Sequence, residues 1–293
     1  MWGVFVWGSR MEGILLVDKP VGPSSFDVVR AVQRLSKQKR IGHAGTLDPL
    51  ASGLLVICLG RYTKFASFLT NTSKVYESIF TLGKSTTTDD AEGEIIEEKS
   101  IGHLSESDIN DALMSFKGKI EQAPPQFSAI KINGQRAYKM ARDNQEFEIT
   151  PRSVELFELV LMAINLPQIS IGVHCSKGTY IRALARDLGE KLGTGAFASQ
   201  IRRIKSGNYC IEDALSLNDL DEESIAKTLK TGREAVGTLP IVELDEKNTL
   251  LAKHGKQLEI NASFSDCFVG FFQSEPIAIL KNENSAIKIV RGI

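Results

Sequence analysis

Four cysteines in 293 residues, at positions 58, 175, 210 and 267, lie far apart with no Cys-x-x-Cys pair. That spacing excludes a thiolate metal site and implies no disulfide framework in a chain of this size. The four histidines are equally scattered and lack ligand spacing. No apolar run reaches the roughly 18–20 residues that span a bilayer. Met1–Arg10 is apolar and aromatic but lacks the basic start of a signal peptide; Met11 offers a second start, making residues 1–10 an optional extension. The cytoplasm is the expected location. Charge of one sign is missing too: the net charge is −1, which by itself points to no partner. Hydrophobic content of 42% and charged content of 24% are those of a globular protein with room for a large core or two domains.

The distribution of charge says more than its sum. Between Asp27 and Glu77 the only acid is Asp48, against eight bases: Arg30, Arg34, Lys37, Lys39, Arg40, Arg61, Lys64 and Lys74. Residues 173–210 carry seven bases and two acids, whereas 212–246 is strongly acidic. A lone carboxylate inside a long basic segment suggests a reactive group set in a surface that holds a polyanion. The plainer reading, an Asp closing a turn through its own backbone, is the commoner one for an isolated Asp-Pro. Glycines, a proline and a Ser-Gly pair mark Gly42–Gly53 as a loop, and Pro49 biases Asp48 towards an extended backbone.

Along the chain, Gly13–Val17 reads as a buried strand. Ser24 or Ser25 caps the following helix, whose core stripe is Val28, Ala31, Val32 and Leu35. Arg30, Arg34 and Lys37 form a separate basic stripe. Leu54–Leu59 and Val75–Leu82 are strands, the second placing Tyr76, Ser78, Phe80 and Leu82 on one side. Gly83-Lys84-Ser85 imitates the end of a phosphate-binding loop but lacks the motif's first glycine, so that reading fails. Ser105 and Asp108 form a capping box ahead of another helix. Residues 122–141 mix Pro124-Pro125 with Lys131, Arg136, Tyr138 and Lys139, a composition suited to gripping RNA by charge and stacking. A strand pair follows around 154–164 and 169–175. Lys177–Arg182 then opens a helix with core positions Ile181, Leu184, Ala185 and Leu188, leaving Arg182 and Arg186 on another face where they would attract anions. Ile201-Arg202-Arg203 is expected to close a Gly-rich loop, and short strands after Pro240 suggest a small β-rich module.

Gly42-His-Ala-Gly-Thr-Leu-Asp-Pro49 with Leu50-Ala-Ser-Gly-Leu54 closely resembles the active-site loop of TruB-type tRNA pseudouridine synthases, which modify uridine 55 in the tRNA T loop. Leu16–Pro20, Lys74–Tyr76, Pro124–Lys131, Ser176–Arg182 and Ile201–Arg203 appear in the same order as that family's other motifs, so the likeness spans about residues 12–240. The resemblance implies an α+β (mixed α/β) pseudouridine-synthase fold around a bent, mainly antiparallel central sheet. It also implies a division into an extension at 1–10, a catalytic domain at 11–246 with a thumb insertion near 122–152, and a PUA-like RNA-binding domain at 247–293.

By the same resemblance Asp48 is the nucleophile, and Arg182 is the partner that orients it. Tyr76 stacks on the target base and is a candidate base for the C5 proton. His43 fills the space left by the flipped nucleotide, Tyr180 and Ile201 line the uracil pocket, and Lys19 and Pro20 support the floor. Ile201 stands where the family more often has leucine. Asp89 and Asp90 fall in a loop that often carries acids in the family, where a second catalytic carboxylate is the disfavoured reading. The implied partner is tRNA through its T stem-loop, with no cofactor, no metal, no membrane and no obligatory protein partner; a monomer would suffice. An RNA-binding or RNA-folding protein with a dispensable site is the alternative, and a guide-RNA-dependent relative is disfavoured by the thumb-like insertion.

Overall fold

A computed structural model describes residues 11–293, apart from 129, 133, 137–139, 141, 142, 144, 146, 148, 265, 284 and 285 and the side chains of 131, 132 and 136. Residues 1–10, and the side chains of Lys131, Arg136, Tyr138 and Lys139 in the expected thumb, therefore lie outside it. The strands of the first half are β1 (Gly13–Lys19), β2 (Ile41–His43), β3 (Ser52–Leu59), β4 (Lys74–Leu82), β5 (Lys84–Thr86), β6 (Ile95–Glu98), β7 (Gly118–Gln122), β8 (Lys131–Ile132) and β9 (Gln135–Arg136). Those of the second are β10 (Arg152–Asn165), β11 (Gln168–Cys175), β12 (Ala196–Ser206), β13 (Tyr209–Cys210), β14 (Leu215–Ser216), β15 (Ile241–Glu243), β16 (Phe268–Phe272), β17 (Glu275–Glu283) and β18 (Ala286–Gly292). Helices are α1 (Ser25–Ser36), α2 (Ala66–Thr70), α3 (Glu106–Met114), α4 (Ile181–Leu192), α5 (Glu222–Thr228) and α6 (Glu246–Lys253). Among the described residues no helix is long and apolar enough to cross a membrane. The fold class is mixed α/β.

The described residues form two compact units, one within 11–47, 54–72 and 206–293, the other within 48–53 and 73–205. In the first, β14, β1 and β3 are neighbours, with β1 and β14 parallel and β2 antiparallel to β3. Helix α1 begins at a Ser24 capping box with Asp27 and buries Val28, Val29 and Val32. The C-terminal strands form a separate sheet in the order β15-β16-β17-β18. One set of its side chains, Val269, Phe271 and Ile279, joins Ile14, Leu16, Leu54, Val56 and Phe65 in a single core; Phe268, Ala278 and Leu280 pack in another with Leu244 and Leu258.

In the second unit the strand order is β12-β4-β11-β10-β7, and the β4–β11, β11–β10 and β10–β7 ladders are antiparallel. Alternation along β4 works as its sequence requires: Lys74, Ser78, Phe80 and Leu82 are buried, and Tyr76 shares their face. Helix α3 starts at the Ser105–Asp108 capping box. Helix α4 buries Ile181, Leu184, Ala185 and Leu188.

Two expectations about loops need correction. The glycine-rich segment is shorter than 42–53, because Gly42 and His43 pair with Cys58 and Ile57, and Ser52 and Gly53 already belong to β3. Ile201–Arg203 is part of β12, where Arg202 and Arg203 pair in parallel with Ser52 and Gly53. Glycine content misleads at the first: Gly53 lies inside a strand at φ +99°, where a Cβ would stand 2.2 Å from the Arg203 carbonyl oxygen.

Candidate active site

Two anchors fix the loop that carries Asp48. Before it, the Ser25 hydroxyl, at the start of α1, accepts from the Leu47 N–H and donates to the Leu47 carbonyl, both at 2.8 Å. After it, the Ala51 N–H donates to the Asp48 carbonyl at 3.1 Å, and Gly53 seats β3 against β12. Ser24 thus caps the helix, while Ser25 holds the residue next to the carboxylate.

Asp48 Oδ2 lies 2.9 Å from Arg182 Nη2, with the carboxylate side chain 42% exposed and the guanidinium 5%. The open side of the pair is therefore the acid. Arg182 is held from behind by Asp90 Oδ2 at 3.0 Å, and it donates to the Thr88 and Phe127 carbonyls, each at 3.0 Å. Asp90 is itself buried, its Oδ1 accepting from the Thr88 hydroxyl and the Glu92 N–H. One arginine bridges two carboxylates, one facing outward and one locked inside. The expectation that Arg182 and Arg186 form an anion-attracting helix start is not met. Both guanidiniums are engaged by carboxylates, and the Tyr180 N–H donates to Gln122 Oε1 at 2.8 Å. Helical periodicity placed these arginines off the apolar stripe, but could not reveal that the adjoining face is also buried.

Tyr76 and Tyr180 both lie within the field of Asp48. Burial pushes the Tyr76 hydroxyl up, Arg203 draws it down through charge and a hydrogen bond, and Asp48 adds a further upward push. Tyr180, at the head of α4, is raised chiefly by burial, with Arg152 opposing. Its backbone is clamped on both sides by the Gln122 amide, which also donates to the Tyr180 carbonyl at 3.1 Å. Ile201 is buried on β12, and its carbonyl accepts from Ser52 Oγ at 3.5 Å. Arg203, two residues on, is 1% exposed, and the Lys74 ammonium is lowered to about 8 by burial and by Arg203. Asp48, Tyr76, Tyr180, Arg182 and Ile201 thus all belong to one unit.

The remaining expected residues lie in the other unit. Lys19 is fully buried at the end of β1, its Nζ donating to the Pro20 and Pro23 carbonyls at 2.9 and 2.8 Å; Pro20 itself is exposed. His43 ends β2 opposite Ile57. The residues that sequence reasoning left out of the site are Asp90, Gln122 and Arg203. The charged pair Asp89-Asp90 was visible, but nothing in its spacing told which acid reaches Arg182.

Two family models match the chain: TruB family pseudouridylate synthase (N terminal domain) over residues 33–181, and tRNA pseudouridylate synthase B C-terminal domain over residues 182–240. The chain belongs to the TruB family. Its relatives include the "tRNA pseudouridine synthase B" of Clostridium tetani, 41% identical over 249 residues that make up 85% of this chain and 86% of that protein. The protein of the same name from Thermobifida fusca is 39% identical over 93% of this chain and 94% of its own length. Among solved structures, "Crystal Structure of a Cbf5-Nop10-Gar1 Complex" aligns with a TM-score of 0.76 at 24% identity, covering 97% of this chain and 85% of that one; it is a likeness of fold. Asp48 and Tyr76 fall in the first TruB match, and Arg182 is the opening residue of the second.

Proposed function

We propose that this TruB-family chain isomerises uridine to pseudouridine at position 55 in the T loop of tRNA, with Asp48 as nucleophile. The observation that carries the reading is the half-exposed Asp48 carboxylate, held at 2.9 Å by a buried arginine in the field of two tyrosines. A carboxylate oriented and charge-balanced in this way is equipped to attack the C1′ or C6 carbon of an extruded nucleotide. The target uridine must first leave its stack, at a cost of a few kcal/mol, ~2–3, that the protein's contacts offset.

The chemistry balances without redox change. In attack at C1′ the Asp48 carboxylate displaces N1, uracil turns in the site, and C5 then bonds to C1′ and displaces the carboxylate; in attack at C6 the C6–O bond is formed before the turn and eliminated after C5 has joined C1′. On either route the C5 proton is lost and N1 gains one. Arg182 orients Asp48 and offsets its charge, and Tyr76 offers the stacking surface. A phenol hydroxyl that burial pushes up holds its proton at neutral pH, which favours that stacking role over direct proton abstraction. Tyr180 and Ile201 line the uracil pocket, His43 fills the space vacated by the flipped base, and Lys19 with Pro20 steadies the floor.

Residues 11–246 serve as catalytic domain with a thumb at about 122–152, and 247–293 as a PUA-like RNA-binding module. The protein works in the cytoplasm as a monomer on the T stem-loop, without cofactor, metal or obligatory protein partner. Tritium release from C5-labelled uracil in T-arm RNA tests the reading. Asp48→Asn should bind that RNA with near-native affinity and release no tritium; turnover by this variant would remove Asp48 as nucleophile.

A further inference from the structure

The geometry points to Arg186 as a positioning residue for the Asp48–Arg182 pair, an inference that rests on the isomerase reading. Arg182 and Arg186 lie one turn apart on α4, and each ties the same two chain segments together. Arg182 joins Thr88 and Asp90 to the Phe127 carbonyl. Arg186 joins the Asp89 carboxylate, at 3.0 Å, to the Ala123 carbonyl, at 2.9 Å. The helix thus carries a two-rung ladder between the 88–90 turn and the 123–127 segment, and only the first rung touches Asp48.

The second rung bears on the first through the turn. Asp89 adopts φ +60°, a left-handed conformation uncommon outside glycine though better tolerated by Asp than by most residues. The Ala198 N–H donates to the Asp89 carbonyl at 3.0 Å, and Arg186 fixes its side chain. Arg186 is aimed in turn by Asp187, whose Oδ1 accepts from both Nε and Nη2. Adjacent in sequence, Asp90 presents its carboxylate to Arg182 from the same turn. Releasing Asp89 would let the turn relax, shift Asp90 and the Thr88 carbonyl, and let Arg182 move against Asp48. A displacement near 1 Å in such a constellation costs up to ~100-fold in rate.

Arg186 is poorly suited to gripping RNA itself. It borders an open groove of about 640 Å³ where Glu121, Asp187 and Glu190 outnumber Arg186 and Lys191, so a phosphate is repelled there. A positioning role therefore predicts a change in kcat and none in RNA affinity.

The test is steady-state tritium release with Arg186→Gln, Asp89→Asn and the double variant, each checked for a parent-like rate of alkylation at the buried Cys58 and Cys175. Arg186→Gln should lower kcat about tenfold or more with KM within about twofold of the parent protein. Asp89→Asn should reproduce much of that loss, and the double variant should be no worse than Arg186→Gln. Arg186→Lys, which keeps charge but lacks the fork that reaches Asp89, Asp187 and Ala123 together, should recover activity only in part. A raised KM with unchanged kcat would make Arg186 an RNA contact and overturn the inference, as would no change in either constant. If Arg186→Gln fails to fold, the kcat of Asp89→Asn decides alone, since that change removes a charge and little volume. A parent protein that releases no tritium overturns the isomerase reading instead.

Discussion

At the scale of single residues the site is a problem of burying charge. Arg182 is almost fully enclosed, and such a guanidinium is tolerable only when acids and carbonyls surround it, as Asp90, Asp48, Thr88 and Phe127 do here. Asp90→Ala leaves that charge half-compensated in a desolvated place. It should cost about 3 kcal/mol or more in urea unfolding and depress kcat, with Asp90→Asn milder on both counts. Lys74 poses a related problem with a measurable pH signature. Its ammonium is lowered from the ordinary 10.5 to about 8 by burial first and Arg203 second. Below about pH 8 both folded and unfolded chains carry the proton, and the folded state bears the full cost of burying it. Between about 8 and 10.5 the folded chain releases the proton while the unfolded chain keeps it, so stability rises with pH in that window. The buried thiols oppose this trend from about pH 8.5, so the comparison is with a Lys74→Met variant, which keeps the thiols and lacks the ammonium: between about pH 8 and 10.5 the parent protein should gain stability on it, approaching ~3 kcal/mol over the whole window. Parallel pH curves for the two proteins would contradict this.

Elements decide where those residues stand. Helix α4 supplies two arginines one turn apart, and β12 supplies Ile201 and Arg203 on alternate positions of one face. Strand β3 brings the Asp48 loop to β12 only because residue 53 has no side chain. Gly53→Ala should therefore be severe: the residue sits at φ +99°, and the new methyl would collide with the backbone of Arg203. We expect a loss well above the ~1 kcal/mol of an ordinary glycine-to-alanine misfit, seen as a lowered Tm together with lost activity. A Gly42→Ala control has nothing within 4 Å of its added methyl and should be much milder.

On the whole-molecule scale the cores set what opens and what stays shut. Val269, Phe271 and Ile279 of the C-terminal sheet share a core with Ile14 and Leu16, so the last strands complete the hydrophobic interior of the first. Cys58 lies in that core and Cys267 packs against it, so thiol reactivity reports on its closure. Cys58 and Cys175 are buried, their thiols pushed up by burial to about 12 and about 11, whereas Cys210 and Cys267 are half-buried. Iodoacetamide at pH 8 should modify Cys210 and Cys267 in the native protein and reach Cys58 and Cys175 only at the rate of unfolding, read site by site by mass spectrometry. Early modification of Cys58 would mean that this core opens locally.

What the sequence determined by itself is whatever depends on near neighbours along the chain. The Ser24 and Ser105 capping boxes, the buried face of β4 and the apolar stripe of α4 follow from local hydrogen bonding and from periods of 2 and 3.6 residues. Asp48 stood out for a similar reason, as one acid in a run of bases. Only the tertiary structure decided that Arg182 is buried, that Asp90 and not Asp89 backs it, and that Gln122 clamps Tyr180 across 58 positions. It also turned Ile201–Arg203 from an expected loop into part of β12, where Arg202 and Arg203 pair in parallel with Ser52 and Gly53. Pairing energies of this kind act between residues far apart in sequence, where periodicity and propensity carry no signal.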